Sequence, residues 1–456
     1  MSLNVFLRFF VLFAVFFLSA CVTIPSNSEL SKNIPTSFNN ESLIQTSKDT
    51  KVLSPEIQLY YLFEDENLRN LYDIALLKNI NLQIMQSRIL QAESALKVAF
   101  SEFFPKDSAS FGGSKSKGSG FQTQALGNLS WEIDVFGKNT NAKNSKESLY
   151  KKSMEDFRAT QITLLSDVTS LYFNLQEYNL NISLTKENIT HYAELLELTR
   201  LKVENGLLDS TELFTKQDLL TNEQNTLEIL KKQFEESKNA LLILLDLKSL
   251  PFVLSPSFSY KDDFLFSFEK IPANAILSRP DIRANIYSLY SQIYNKSEAY
   301  SSLFPIISIS GNVSEVLQNN SNIAWSIASS ISAPIFNRTQ LTQNYFLQNE
   351  LLKENYLSLQ DSLNNAFFEI ENSLFNIKNT QIQTKNNYLR FKNAQDYFMF
   401  ATNRRSIGLI DELELRENNA SLNNSKKNLY SSLNAQSQSL IMLFKAFGGN
   451  LYIEGQ

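Results

Sequence analysis

Two carboxylates two residues apart, Glu132 and Asp134, could share one face of a strand, the kind of placement from which a pair of acids works on a glycosidic bond. Polar residues lining the inside of a membrane barrel have the same spacing and need no chemistry. The single histidine, His191, falls beside an apolar helical stripe next to Tyr192, where a packed or half-exposed structural histidine is expected rather than a general base. Residues Gly112 to Gly120 mix glycine, serine and lysine like a phosphate loop, but they lack the Gly-Lys-Ser/Thr ending before a helix and fit an exposed hairpin loop. One Cys and one His exclude an intrachain disulfide and the usual Cys/His zinc constellations. No convergent set of titratable groups remains, so the residues predict no enzyme, no metal and no cofactor.

With 42 Lys plus Arg against 47 Asp plus Glu the formal charge is -5, which disfavours nucleic acid as a partner. Only 12 Gly and 10 Pro occur in 456 residues, which suits long uninterrupted helices. At the N-terminus, Arg8 precedes an apolar run from Phe9 that breaks at Leu18-Ser19-Ala20-Cys21. A bilayer crossing needs about 20 apolar residues, so residues 1–20 fit a secretory signal peptide instead. Leu-Ser-Ala-Cys resembles the bacterial lipobox, which implies that Cys21 is the lipid-attachment site and that Val22 is compatible with outer-membrane sorting. Residues 21–60, rich in Ser, Asn, Thr and Pro, read as an extended arm behind the anchor.

The chain also repeats itself. Phe104-Pro105 recurs as Phe304-Pro305 and Phe136-Gly137 as Phe336-Asn337, both displaced by 200 residues, and Gly206-Leu207 recurs as Gly408-Leu409, displaced by 202. Each half should therefore carry the same elements in the same order. Leu129, Trp131, Ile133 and Val135 alternate with polar residues, as do Ile307, Ile309 and Val313 and then Trp325, Ile327 and Ile331; each half offers one strand hairpin, long enough to cross an outer membrane at a tilt. Leu164, Val168, Leu171, Leu175, Tyr178, Ile182, Ile189, Tyr192 and Leu196 form a stripe at helical period, and Leu213, Leu220, Leu227, Phe234 and Leu241 repeat every seven residues. Between them Gly206 can end one helix, while Asp209 and Glu212 have the spacing of a capping box for the next; Gly408 with Asp411 and Glu414 repeats the pattern.

These signals predict a mainly α chain with a small transmembrane β part. The first repeat spans 61–250, with a hairpin at about 105–136 and a helical turn at 206–209. A connecting segment follows at 251–278. The second repeat spans 279–449, with a hairpin at about 305–336 and a turn at 408–411, ahead of a tail at 450–456. Four strands cannot close a barrel, and open sheet edges in lipid leave backbone groups unsatisfied. Three copies would form a trimeric 12-stranded β-barrel, continued by an α-helical barrel.

Trp131-Glu132-Ile133-Asp134-Val135-Phe136-Gly137, Ser278-Arg279-Pro280-Asp281-Ile282, Phe304-Pro305, Pro334-Ile335-Phe336 and the glycine-centred turns resemble the hallmarks of the TolC-type outer-membrane efflux family. With the lipobox, the similarity is to its OprM-like lipoprotein branch. The resemblance implies a homotrimer in outer-membrane lipid that extends into the periplasm. Its implied partners are a periplasmic adaptor (membrane fusion) protein and an inner-membrane transporter of the resistance-nodulation-division type. The channel would be a passive conduit for drugs or other small molecules; type I protein secretion or metal efflux is the alternative cargo route, and a periplasmic coiled-coil adaptor lipoprotein the alternative class. The family's periplasmic constriction falls here on Glu417, nine residues after Gly408, with Glu414 one turn earlier, while Arg404-Arg405 departs from the aromatic residue common at that place.

Overall fold

The computed structural model describes residues 22–39, 44–45, 54–115, 117–118, 121–254, 266–267, 272–316 and 323–449. The expected signal peptide at 1–20, Cys21 and the expected tail at 450–456 lie outside them. In chain order the elements are α1 (Asn27–Leu30), β1 (Ile44–Gln45), α2 (Pro55–Phe63), α3 (Glu66–Lys78), α4 (Ile80–Ser101), β2 (Lys106–Ser114), β3 (Gln122–Ile133), α5 (Lys138–Glu204), α6 (Ser210–Leu245), β4 (Phe266–Ser267), α7 (Pro272–Ser278), α8 (Pro280–Ser301), β5 (Ile306–Val316), β6 (Ala324–Ser332), α9 (Arg338–Ser406) and α10 (Glu412–Ala446). The sequence α4-β2-β3-α5-α6 recurs as α8-β5-β6-α9-α10, so the duplication is structural. Among the described residues no helix is long and apolar enough to cross a membrane. The chain divides into two compact units, Met1–Asn33 with Met85–Phe157 and Pro280–Leu363, and the remainder.

The first unit holds one antiparallel sheet in the order β2-β3-β5-β6. Its two hairpins are joined through β3 and β5, where Trp131 pairs with Ile309 and Leu129 with Gly311. Because paired residues share a face, the register segregates the side chains. Leu129, Trp131, Ile309, Val313, Trp325 and Ile327 stand on one face, and serines and amides stand on the other. The two tryptophans lie at different heights of the apolar face, since Trp131 pairs with Ile309 and Trp325 with Val313.

Strand β3 stops at Ile133, short of the alternation that continues to Val135 in the sequence. Asp134 has left the strand: its Oδ1 accepts from the Asn139 amide at 3.0 Å and its Oδ2 from the Thr140 amide at 2.7 Å, at the start of α5. Orphan amides at a helix start outcompete the strand for a carboxylate, so Glu132 and Asp134 do not form a facing pair. Beneath the sheet, Phe136 stacks on Phe304 at 5.0 Å, and Trp131 Nε1 donates to the Phe103 carbonyl at 3.0 Å.

The second unit is helical, with small-element packing around Leu59, Leu68, Leu71, Tyr72, Leu165 and Leu175, all buried. Tyr72 and Thr169 share a hydrogen bond at 2.8 Å, and Tyr172 donates to Asp65 at 2.7 Å. Arg279, at the start of the Arg-Pro-Asp motif, is buried; it donates to the Ala446 carbonyl at 2.8 Å and to Glu369 at 2.7 Å. Pro280 opens α8, where its missing N–H costs nothing, and Asp281 sits in the positive first turn.

Two expectations are corrected. The segment expected to be an extended arm is not simply extended: Ser26 and Glu29 close a capping box on α1, and Phe38 is buried between Phe367 and Phe447. The buried stripe of α5 also drifts. It begins on Leu164, Leu165, Val168 and Leu175, but farther along Ile182, Ile189, Tyr192 and Leu196 are only half-buried, and Thr185, Asn188, His191 and Thr199 are buried alongside Leu184 and Leu195. The reason is the neighbour, because α10 presents amides, hydroxyls and ions to that face.

Candidate gate at the helical hairpin turns

At the first turn α5 ends with the Gly206 amide bonded to the Val203 carbonyl and the Leu207 amide to Lys202, which places Gly206 at φ 70°. This is the left-handed helix stop that glycine favours. Asp209 then caps α6 by accepting from the Thr211 amide at 2.7 Å. At the second turn the Leu409 amide bonds to the Arg404 carbonyl, Gly408 has φ 78°, and Asp411 accepts from the Glu414 amide at 2.9 Å. Each aspartate is a cap, but the predicted boxes are half-formed: Asp209 takes the second amide of its helix rather than that of Glu212, and the Glu414 carboxylate points to Arg404 at 3.9 Å.

Ion pairs then join the repeats. Lys202 of α5 donates to Asp411. Lys216 of α6, largely buried, donates to the half-buried Glu417 of α10 at 2.5 Å. Arg416 reaches Glu412 and Glu194, both at 2.8 Å. The Lys202 ammonium, and next the Glu414 amide, hold the Asp411 carboxyl below the usual carboxylate range; the Thr211 hydroxyl and amide do the same for Asp209.

His191 lies in this network, with Nδ1 3.3 Å from Arg416 Nη1 and Nε2 2.9 Å from the Asn419 side chain. A guanidinium only donates, so Nδ1 is the acceptor of the Arg416 contact. His191 is therefore a buried seam residue. Farther along, Asn188 meets Asn424 at 3.1 Å, Lys427 meets Glu223 at 2.6 Å, and Gln438 donates to the Ser170 carbonyl at 3.1 Å. Gln176 Oε1, Asn188 Oδ1 and Asn423 Nδ2 are buried along the seam without a protein partner among the described residues.

Of the predicted site residues, the structure brings Asp411 and Glu417 onto the partner repeat and leaves Gly206, Asp209, Gly408 and Glu414 within their own turns. Lys202, Lys216 and Arg416 were not singled out from the sequence. Their signal was a charge of opposite sign near the corresponding turn position: shifted by 202, Lys216 falls on Asn418, beside Glu417.

A repeated pair of amphipathic strand hairpins, each leading into a helical hairpin whose turns are tied by ions, defines a subunit of a membrane conduit. The sequence model described as outer membrane efflux protein matches residues 71–245 and 271–449, one match to each repeat, and the chain belongs to that family. It is similar to the solvent efflux pump outer membrane protein SrpC of Pseudomonas putida, with 24% identity over 96% of this chain and 97% of that one. It is also similar to the cation efflux system protein CusC of Escherichia coli, with 25% identity over 85% and 87%. The fold matches the crystal structure of the Campylobacter jejuni CmeC outer membrane channel with a TM-score of 0.79, 23% identity and coverage of 96% and 95%. The chain is an outer-membrane efflux channel of the tripartite type.

Proposed function

We propose that three copies of this chain close into one 12-stranded barrel, anchored through acylated Cys21. The trimer conducts drugs or other small organic molecules passed on by a periplasmic adaptor and a resistance-nodulation-division type transporter. The observation that carries the proposal is the single four-stranded sheet, mostly apolar on one face, where Asp107 and Glu315 lie near the strand ends, and mostly polar on the other, with β2 and β6 as its edges among the described residues. In lipid each orphan backbone group costs several kcal/mol, so the edges must find each other in neighbouring subunits. Exposed apolar residues on α9, Phe368, Phe375, Ile382 and Leu389, recur every seven positions and give those subunits a second seam. Relatives named for solvents and for a cation share the architecture, which supports cargo choice by the pump rather than by this chain.

The gate assigned to the turns works by release. An apolar zipper would resist water, whereas the seam between α5 and α10 is made of groups that water can replace when the helices part. Lys216 to Glu417 and Lys202 to Asp411 are its latches; while they are closed each carboxylate is balanced by its lysine, and when they part three symmetry copies of Glu417, with Glu414 beside it, form an acidic ring that favours cations. Migration of unheated and heated membrane extracts tests the assembly: a band at three times the chain mass that collapses on heating is expected, and a monomer in both lanes would refute it.

A further inference from the structure

The polar face of the sheet is nearly free of charge. Asn128, Asn312 and Ser326 lie side by side across three strands, followed by Ser130 and Ser310, and the cross-strand contacts are between neutral groups. Ser308 and Ser330 hydroxyls meet at 2.8 Å, and Ser326 donates to Asn312 Oδ1 at 3.0 Å. Among the described residues only Lys106 and Glu132 bring charge to this face, and each is cancelled locally. Lys106 pairs with Glu102 at 2.5 Å, and Glu132 pairs with Lys138 at 3.2 Å. Large apolar residues are isolated there, with Leu126 in the middle and Ile306 at the start of β5. Lys115 and Lys117 lie past the last rung, Ser114 with Gln122, and are not part of the wall.

We infer that the strand-lined part of the bore is a neutral hydroxyl and amide wall that passes amphiphilic, zwitterionic and charged cargo of either sign alike, leaving ion discrimination to the helical part. The inference rests on the sheet being one third of a barrel, because only then does the apolar face meet lipid and the polar face enclose water. A ring of like charges in such a pore would concentrate one sign of ion and repel the other. A hydroxyl both donates and accepts, so it can replace part of the hydration of any polar group without preferring a sign. Serines also give the apolar half of an amphiphile little surface to adhere to, which suits a passage that must release what it receives.

Reversal potentials of the full-length protein in planar bilayers, under a potassium chloride gradient, test this. Removing the charge pairs whole, as Lys106→Gln with Glu102→Gln and as Glu132→Gln with Lys138→Gln, should leave the wild-type value in place. Ser310→Asp should move it towards the cation limit and Ser310→Lys towards the anion limit, in opposite directions from wild type. Ser329→Asp, on the apolar face, should reduce insertion instead. A shift on removing the pairs would overturn the inference, because the wall would then carry the selectivity. So would unmoved Ser310 variants beside a Ser329→Asp channel that inserts and changes selectivity, which would mean that the faces are reversed although a barrel exists. Absence of both conductance and a heat-sensitive trimer in the wild type would instead remove the barrel itself, and the inference with it.

Discussion

At the scale of residues, the two lysines from the first repeat set how tightly the turns of the second are held. Lys216→Ala and Glu417→Gln each remove one latch, so single-channel conductance should rise in both; the double variant should gain little over either, since both lose the same contact. Equal and additive gains would show that Glu417 acts without Lys216. The Asp411 latch has a defined pH response. Its carboxyl is held below the usual carboxylate range by Lys202 first and the Glu414 amide second, so its stabilisation is fully present above that range and is lost only as pH falls through the lowered value. Conductance through this latch should stay flat from neutral pH into mild acid and rise below the usual carboxylate range, whereas Asp411→Asn should start high and show no such rise. Asp411 was legible as a helix cap, because a cap is local. Its second partner, 209 positions away, was not, because ion pairs between repeats leave no periodic trace in the sequence.

At the scale of elements, local rules located the helices and strands while their neighbours decided which faces were buried. The glycines of the turns were readable from the halt in periodicity that they impose, and both take positive φ. Gly408→Ala should weaken the turn by about 1–2 kcal/mol, the cost of the left-handed conformation for a residue with a Cβ, and should speed amide exchange at Leu409. Unchanged exchange would mean that the turn relaxes without strain. Asp134→Ala should cost about 1 kcal/mol of α5 stability through loss of the first-turn cap. Strand alternation alone assigned Asp134 to a face of β3, since sequence pattern does not show where competing helix amides begin. The α5 stripe failed for a similar reason: hydrophobic periodicity finds the face that an apolar partner would cover, and α10 offers Asn419, Asn424, Lys427 and Gln438 instead.

At the scale of the whole molecule, the two repeats supply the four strands on which the proposed three-copy barrel is counted. The sequence showed one hairpin in each half but not that β3 and β5 would unite them, because nothing in alternation specifies pairing across 170 intervening residues or more. Once united, the sheet has two edges, β2 from the first repeat and β6 from the second, so the junction between subunits must repeat the order head to tail. Cysteines introduced in pairs on the polar face, one at Ser108 or Ser110 of β2 and one at Ala328 or Ser330 of β6, should therefore cross-link neighbouring subunits in a Cys21→Ser background at the register where their backbones pair. Within one chain β3 and β5 separate these edges, so a disulfide-bridged ring of three requires neighbouring copies. Single cysteines should give no ladder. If every register fails while the trimer still migrates as one band, the subunits meet through the helices alone, and the strand edges must be closed by something other than a second copy of this chain.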